Sequence, residues 1–215
     1  MKITKFGHAC LLVEENGVRF LIDPGNYSTA QDEVKNIDVI LITHEHQDHV
    51  FVDSLKKVLA NNPTAKIYTN SAVNAILEKE GIVATVLEHG QSVTEKGVPV
   101  DALGTDHALI YQGLPIAQNT GYFIANRFFY PGDAFTQPGR PVEILALPVT
   151  APWMAVREGV DYALAVKPVF AVPVHDGILK QPAMVYRLPE MVLSQHDIKF
   201  FPLEIGKEYD FTTFS

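Results

Sequence analysis

The chain has 215 residues, of which 47% are hydrophobic and 20% charged, which excludes a disordered or fibrous protein. Its 17 basic against 25 acidic residues give a net charge of -8, which disfavours nucleic acid or an anionic membrane as the main partner. A single cysteine excludes an internal disulfide, and the first residues lack the pattern of a signal peptide. We therefore expect one cytoplasmic domain over residues 1–215.

In the first half of the chain, short strands alternate with helices. Apolar, β-branched segments separated by turns such as Asn16-Gly17 predict the strands. Helical spacing of apolar residues predicts two helices, the first ending before Pro63 and the second before Gly81. The predicted strands are residues 2–6, 9–14, 19–22, 37–42 and 67–69, and the predicted helices are residues 52–61 and 71–80.

The second half repeats this pattern without an intervening linker rich in glycine, proline or serine. Its predicted strands are residues 82–87, 98–103, 121–124, 127–130, 144–147 and 169–174, and its predicted helices are residues 155–166 and 183–194. Two α/β halves that face each other within one fold unit are therefore expected.

A cluster of histidines directly follows the apolar strand at 37–42. His44, His46, Asp48 and His49 fall within six residues, a pattern expected by chance on the order of 10⁻³ times per chain. Imidazole and carboxylate groups suit zinc, iron and manganese, and a loop at a strand end can direct alternate side chains into one cavity. The cluster therefore predicts a metal site.

Three further candidate ligands follow the ends of later strands. They are His107, Asp133 in Pro131-Gly132-Asp133, and His175. A single histidine is more often a surface or core residue than a ligand, but the shared placement favours a role in the same site. Four ligands in one loop are too few for two metal ions, so these residues would complete the set.

These motifs carry a resemblance to a known family. His44-x-His46-x-Asp48-His49, followed by His107, Asp133 and His175, resembles the metallo-β-lactamase superfamily of metal-dependent hydrolases. The segment 20–25, Phe-Leu-Ile-Asp-Pro-Gly, is similar to a strand of that superfamily, and Gly7-His8-Ala9-Cys10 is similar to its compact bacterial branch, which contains ascorbate-6-phosphate lactonase. The resemblance implies an α/β fold (α+β in some schemes), the four-layer αβ/βα sandwich.

The same resemblance implies a binuclear site. It assigns His44, His46 and His107 to one divalent ion and Asp48, His49 and His175 to the other, with Asp133 between them. Zinc is the first expectation for both ions, with manganese and iron as alternatives. A hydroxide between the ions would cleave an ester-like bond of a small molecule, a lactone or phosphoester ahead of an amide, and Asp48 would also handle its proton.

Four other residues are candidates for supporting roles. Asp23 either orients a metal-binding histidine or forms an Asp-Pro turn. His8 is a candidate catalytic residue, as proton donor or substrate contact, with a core histidine as the alternative. Trp153 and Met154 suit a lid over the substrate pocket or, equally, a plug at the end of the core.

Three other functions stay open. A flavodiiron-like redox protein would use iron in this fold, a nucleic-acid-processing hydrolase would use the same metals, and a non-catalytic module would only bind metal. We expect a small-molecule substrate, no membrane contact and no nucleic acid partner, and the sequence leaves a homo-oligomer open.

Overall fold

The computed structural model describes residues 1–212, so the last three residues of the predicted domain lie outside the described part. The strands are β1 (Lys2–Gly7), β2 (Cys10–Glu15), β3 (Val18–Ile22), β4 (Val39–Ile42), β5 (Lys66–Thr69), β6 (Thr85–Val86), β7 (Ser92–Glu95), β8 (Val98–Leu103), β9 (Gly121–Ile124), β10 (Phe128–Tyr130), β11 (Ile144–Pro148), β12 (Phe170–Val174), β13 (Lys199–Phe200) and β14 (Glu208–Asp210). The helices are α1 (Val52–Asn61), α2 (Ser71–Lys79), α3 (Val156–Val166) and α4 (Ala183–Leu193). None of the helices in this part of the chain has the length and apolarity needed to cross a membrane.

The strands form two sheets of seven strands each. The first has the order β14-β1-β2-β3-β4-β5-β6 and the second β13-β12-β11-β10-β9-β8-β7. In each sheet, antiparallel hairpins occupy one part and parallel strands joined through helices the other. Both sheets are therefore mixed.

Side chains of the first sheet alternate between two hydrophobic cores. In β4, Val39 and Leu41 belong to the core between the sheets, whereas Ile40 and Ile42 pack with α1 and α2. Successive side chains of a strand point to opposite faces, so a strand covered on both faces is apolar throughout. This explains why β4 lacks the alternation of a half-exposed strand.

The second sheet is built in the same way. Ile144 and Ala146 of β11 face the core between the sheets, and Leu145 and Leu147 pack with α3 and α4. The layers therefore run helix, sheet, sheet, helix, and the predicted αβ/βα sandwich is confirmed.

Most predicted elements are present, and the differences lie at the sheet edges. The strand predicted at 82–87 is reduced to Thr85–Val86, and β7, β13 and β14 were not predicted. Each of these four short strands is an edge strand of its sheet and therefore pairs with a single neighbour. Such strands depend on tertiary pairing, because two to four residues carry too little pattern of their own.

The fold brings several strand ends to one place. Asp23 follows β3, His44 follows β4, His107 follows β8, Asp133 follows β10, and His175 follows β12. The sequence-predicted site residues therefore come from both sheets.

Candidate metal centre

The loop after β4 is held by backbone contacts. The N–H groups of His49 and Val50 both donate to the carbonyl of His46, and Asn26 N donates to Gln47 O at 2.9 Å. A Cβ atom at Gly25 would lie 1.8 Å from the carbonyl oxygen of Asp48, so only glycine allows the two segments to approach this closely. The Asp-Pro-Gly turn is thus part of the frame that positions the histidine loop.

The seven predicted ligands come together in the structure. His44 Nε2 lies 3.1 Å from His46 Nδ1, and both belong with His107 to a group whose ligand atoms lie within 4.8 Å of one another. A second group within the same distance contains Asp48, His49 and His175, together with His8. Two clusters of ligand atoms therefore lie side by side.

Asp133 lies between these two clusters. Its Oδ2 is 3.4 Å from His107 Nε2 in the first cluster and 3.0 Å from His175 Nε2 in the second, and its Oδ1 is 3.2 Å from His49 Nε2. Asn119 fixes the turn, because its Oδ1 accepts from Asp133 N and its Nδ2 donates to the carbonyl of Pro131. The carboxylate can thus contact both clusters at once.

Hydrogen bonds at Nδ1 determine which ring nitrogen is free in three of the histidines. Each Nδ1 faces an oxygen that can only accept, so Nδ1 carries the proton and Nε2 keeps its lone pair. The pairs are His49 with Asp23 Oδ2 at 2.6 Å, His107 with Ala108 O at 2.5 Å, and His175 with Thr150 O at 2.7 Å. All three Nε2 atoms are therefore oriented as metal ligands.

Asp23 accepts hydrogen bonds from Thr43 and from the histidine loop that follows it. Its Oδ1 accepts from Thr43 N at 2.8 Å, and its Oδ2 accepts from Thr43 Oγ1 at 2.7 Å in addition to His49. Because that hydroxyl proton goes to Asp23, Thr43 Oγ1 is free to accept from His44 Nδ1 at 3.0 Å. One fully buried carboxylate thus orients two histidines, directly and through a threonine.

In His8 the two ring nitrogens have the opposite roles: Nδ1 is an acceptor and Nε2 is a donor. Its Nδ1 accepts from the backbone N–H of Gly177 at 3.1 Å, so in the neutral ring Nε2 carries the proton and donates to Asp48 Oδ2 at 3.1 Å. The carbonyl of His8 also accepts from His175 N at 3.0 Å. A Cβ atom at Gly177 would lie 2.8 Å from the Cβ of His8. His8 is therefore held as a hydrogen-bond donor to Asp48 and lacks a free Nε2 lone pair.

The two residues predicted as a pocket lid, Trp153 and Met154, make different contacts in the structure. Trp153 Nε1 donates to Asp133 Oδ2 at 2.8 Å, and its ring contacts His107 and Phe135 with centroid distances of 5.8 and 5.2 Å. Met154 instead places its terminal methyl against Gly159 of α3. Only Trp153 of this pair contacts the predicted ligands through a hydrogen bond.

Several buried polar atoms of the site lack a hydrogen-bond partner. They are His49 Nε2, His107 Nε2, His175 Nε2 and Asp133 Oδ1. A buried polar atom without a partner costs free energy, so a group of them that faces one place indicates a missing ligand. Imidazole nitrogens with carboxylate oxygens are the donors that zinc, iron and manganese bind, so these residues fit the divalent ions expected from the sequence.

Carboxylates favour positive charge on two histidines of the second cluster, whereas burial holds the pKa of His44, in the first cluster, well below the usual range. Burial lowers the pKa of His49, but the carboxylates of Asp133 and Asp23 outweigh this and hold it well above the usual range. The pKa of His175 is likewise raised against burial, to about 9, by the nearby carboxylates of Asp133 and Asp48. Burial opposes ionisation of Asp133, yet the surrounding histidines hold its pKa well below the usual range. The same carboxylate field would attract metal cations, which compete with these protons.

Two residues at the site were missed by the sequence analysis. Thr43 directly precedes the histidine loop, and its place between a strand and the candidate ligands was the available signal. Asn119, which holds the Asp133 turn, has no such signal because its partners are distant in the sequence. Tyr27, which the sequence leaves open as a substrate contact or a solvent-facing side chain, meets the ring of His8 edge-on at 5.0 Å.

A comparison with known protein families agrees with this geometry. A family model described as the beta-lactamase superfamily domain matches residues 2–175, most of the chain and all of the predicted ligands. The chain belongs to the metallo-β-lactamase superfamily. The predicted family is thereby confirmed.

Relatives in the superfamily extend over most of the chain. Protein Rv0786c of Mycobacterium tuberculosis is 37% identical over 206 residues, covering 92% of this chain and 96% of its own length. A UPF0173 metal-dependent hydrolase of Thermoplasma acidophilum is 28% identical over 190 residues, covering 81% and 83%. The structure of a metallo hydrolase from the archaeon Ignicoccus hospitalis superposes with a TM-score of 0.76 at 22% identity and covers 98% of both chains, which shows a shared fold.

Proposed function

We propose that this protein is a metal-dependent hydrolase that binds two divalent ions and cleaves an ester-like bond of a small molecule. The supporting observation is the pair of ligand clusters that share Asp133, with buried ring nitrogens left unpaired between them. The relative from Thermoplasma acidophilum, which is named a metal-dependent hydrolase, agrees with this activity.

The ligand sets follow the two clusters. His44, His46 and His107 would hold one ion, and Asp48, His49 and His175 the other, with Asp133 in contact with both. Zinc is the first candidate, because nitrogen-rich sets with carboxylate suit it, and manganese and iron remain alternatives. Bound divalent ions supply Lewis acidity, which polarises a carbonyl or phosphoryl oxygen and lowers the pKa of water.

Asp48 has a role beyond holding an ion, because it is more accessible than the other candidate ligands of its cluster. Asp48 is 21% exposed, more than its neighbours His49, His175 and Asp133, so it lies at the entrance to the site. Burial opposes its ionisation, but the nearby ring of His175 and the hydrogen bond from His8 hold the pKa of Asp48 well below the usual range, so it stays a hydrogen-bond acceptor. Asp48 would orient the attacking water by accepting a hydrogen bond from it, and the proton of the water would end on the departing oxygen, giving an acid and an alcohol.

Turnover of a substrate panel by ligand variants tests the proposal. Zinc-loaded or manganese-loaded protein is assayed with lactones, carboxylic esters and phosphodiesters, and His46→Ala and Asp133→Ala are each expected to lower kcat/KM at least about a hundredfold. His196→Ala, an exposed histidine on the surface, is the matched control and should keep full activity. Circular dichroism checks that each variant is folded. Activity that survives in both ligand variants would contradict the proposal.

A further inference from the structure

A cavity of about 490 Å³ opens beside the candidate metal centre, and His8 is part of both. Its volume is in the range of small-molecule sites. His8 lines the cavity, and its Nε2 lies 3.1 Å from the Asp48 carboxylate. The cavity therefore adjoins a residue that contacts a group used in the proposed hydrolysis.

Most of the cavity wall is apolar. Two of its side chains are unusually exposed for their type, Tyr27 at 53% and Ile205 at 59%. Large apolar side chains around a concave surface next to a reactive centre are typical of a binding site for apolar ligands. The main apolar side chains of the wall are Phe6, Tyr27, Leu179, Leu203 and Ile205.

The charged groups of the cavity disfavour an anion. Lys5 is the one cationic side chain in the wall, and its Nζ already donates to Pro173 O at 2.8 Å and to both oxygens of Asp176 at 2.7 and 2.6 Å. Tyr186 donates its hydroxyl to the same carboxylate. Glu204, a second acidic group of the wall, is paired with Lys207 at 2.6 Å. Phosphate recognition needs cationic donors with free N–H groups, and this wall offers none.

We propose that this cavity binds the uncharged, apolar acyl arm of a carboxylic ester or lactone and positions its carbonyl next to Asp48. This rests on the proposed hydrolase function and narrows its substrate class: neutral acyl esters are favoured over phosphoesters. The wall offers a phosphate no cationic donor with a free N–H group, whereas its apolar side chains stabilise each added methylene of an acyl chain.

A chain-length series tests the cavity. The metal-loaded protein is assayed with p-nitrophenyl acetate, butyrate and hexanoate, and with bis(p-nitrophenyl) phosphate. Burial of a methylene accounts for up to about fourfold in binding, so kcat/KM is expected to rise at least about tenfold from acetate to hexanoate and to exceed that for the phosphodiester. A flat series, or preference for the phosphodiester, would overturn the inference while leaving a hydrolase.

Two variants test whether the preference for longer acyl chains depends on the cavity wall. Leu179→Asn replaces an apolar wall side chain with a polar one of similar size, and Ile205→Asn does the same at an exposed position where folding is less affected. Each is expected to lower the hexanoate-to-acetate ratio at least about threefold. Val83→Asn, at a side chain that is 88% exposed and outside the wall, is the control and should keep the wild-type ratio. An unchanged ratio in both wall variants would overturn the inference.

Binding of a ketone tests whether the cavity takes an apolar chain, independently of any hydrolysis. 2-Octanone is neutral and has no ester bond, so its binding, followed by protein NMR against 2-butanone, does not depend on turnover. Tighter binding of 2-octanone, weakened in Leu179→Asn, supports the cavity even where no ester is cleaved, and in that case the hydrolase proposal alone fails. Equal binding of the two ketones would overturn the inference about the cavity.

Discussion

His8 receives a hydrogen bond at Nδ1 from Gly177, whereas His49 and His175 donate from Nδ1 to oxygen acceptors. The two kinds of histidine are therefore expected to differ in function although all lie in one cluster. A neutral ring that donates from Nδ1 presents a lone pair at Nε2 and can bind a metal. A neutral ring that accepts at Nδ1 carries its proton at Nε2 and acts there as a donor. His8 and His175 share a positive φ, of 36° and 66°, so their backbone conformation does not distinguish them.

Metal content and turnover of His8 and His175 variants test this difference. His175→Ala removes a proposed ligand, so the metal content per chain should fall by about one ion. His8→Ala should keep the metal and lower kcat about tenfold to a hundredfold, because Asp48 loses its donor. His8→Gln, which retains an N–H donor, should recover part of that loss. Loss of metal in His8→Ala equal to that in His175→Ala would show that His8 is a ligand.

Trp153 supplies a spectroscopic probe of the same site. It is the one tryptophan of the chain, and its indole N–H donates to Asp133, the carboxylate proposed to contact both ions. Metal binding at Asp133 should therefore change the intrinsic fluorescence, with saturation at the stoichiometry of the site. Asp133→Asn should lose this response at the same metal concentrations. Fluorescence that is unchanged by a metal shown to bind would contradict the contact between Trp153 and the site.

Among the elements, a cationic side chain links the two sheets. Arg127, just before β10, donates from Nε and Nη2 to both oxygens of Glu143 at 2.6 Å and from Nη1 to Glu15 of β2 at 3.1 Å. The pairing with Glu143 is bidentate, the stronger geometry for such pairs. Glu15 belongs to the first sheet and Arg127 to the loop of a hairpin in the second. This network therefore contributes to the packing of one sheet on the other.

Removal of this link should lower stability in a pH-dependent way. Arg127→Gln is expected to lower the free energy of unfolding by about 1–2 kcal/mol at pH 7, measured by urea denaturation. The hydrogen bond from Arg127 holds the pKa of Glu143 below its usual value of 4.5, so the stabilisation is present above that pH and is lost as the pH falls below it. Lys56→Gln, which breaks an exposed pair with Glu80, is the control and should lower stability less than Arg127→Gln does. Equal effects of the two variants would contradict a linking role.

The elements also show how far the sequence alone can predict this fold. Strands such as β4 and β12 and all four helices follow from local patterns, because each is covered on a face that its apolar residues define. The edge strand β14 pairs with β1 across almost the whole chain, and no local pattern contains that contact. That the candidate ligands come together could be predicted from their placement after strands. The hydrogen bond that orients His8 could not, because it comes from Gly177, 169 residues away.

In the whole molecule, the proposed ligands come from both sheets. His44 and His49 follow a strand of the first sheet, and His107, Asp133 and His175 follow strands of the second. Ions bound between them would connect the two halves of the sandwich, and any ligand that binds only the folded state stabilises it by mass action. The metal centre should therefore matter for stability as well as for chemistry.

Removal of metal should accordingly lower the melting temperature. At a free metal concentration about 100 times the dissociation constant, binding contributes about 2.7 kcal/mol, which corresponds to about 5–10 °C for a chain of this size. Differential scanning calorimetry with and without a chelator measures the shift, and added zinc should restore it. The Asp133→Ala variant is the control and should show a smaller shift. A chelator effect of the same size in that variant would place the stabilising metal elsewhere.

The most direct test of the two-ion centre is the metal content of the protein, measured by elemental analysis after purification without added metal or chelator. The account predicts about two divalent ions per chain, and fewer in His46→Ala prepared in the same way. A chain that holds no metal, and that cannot be loaded with zinc, manganese or iron, would contradict the assignment of these seven side chains as ligands.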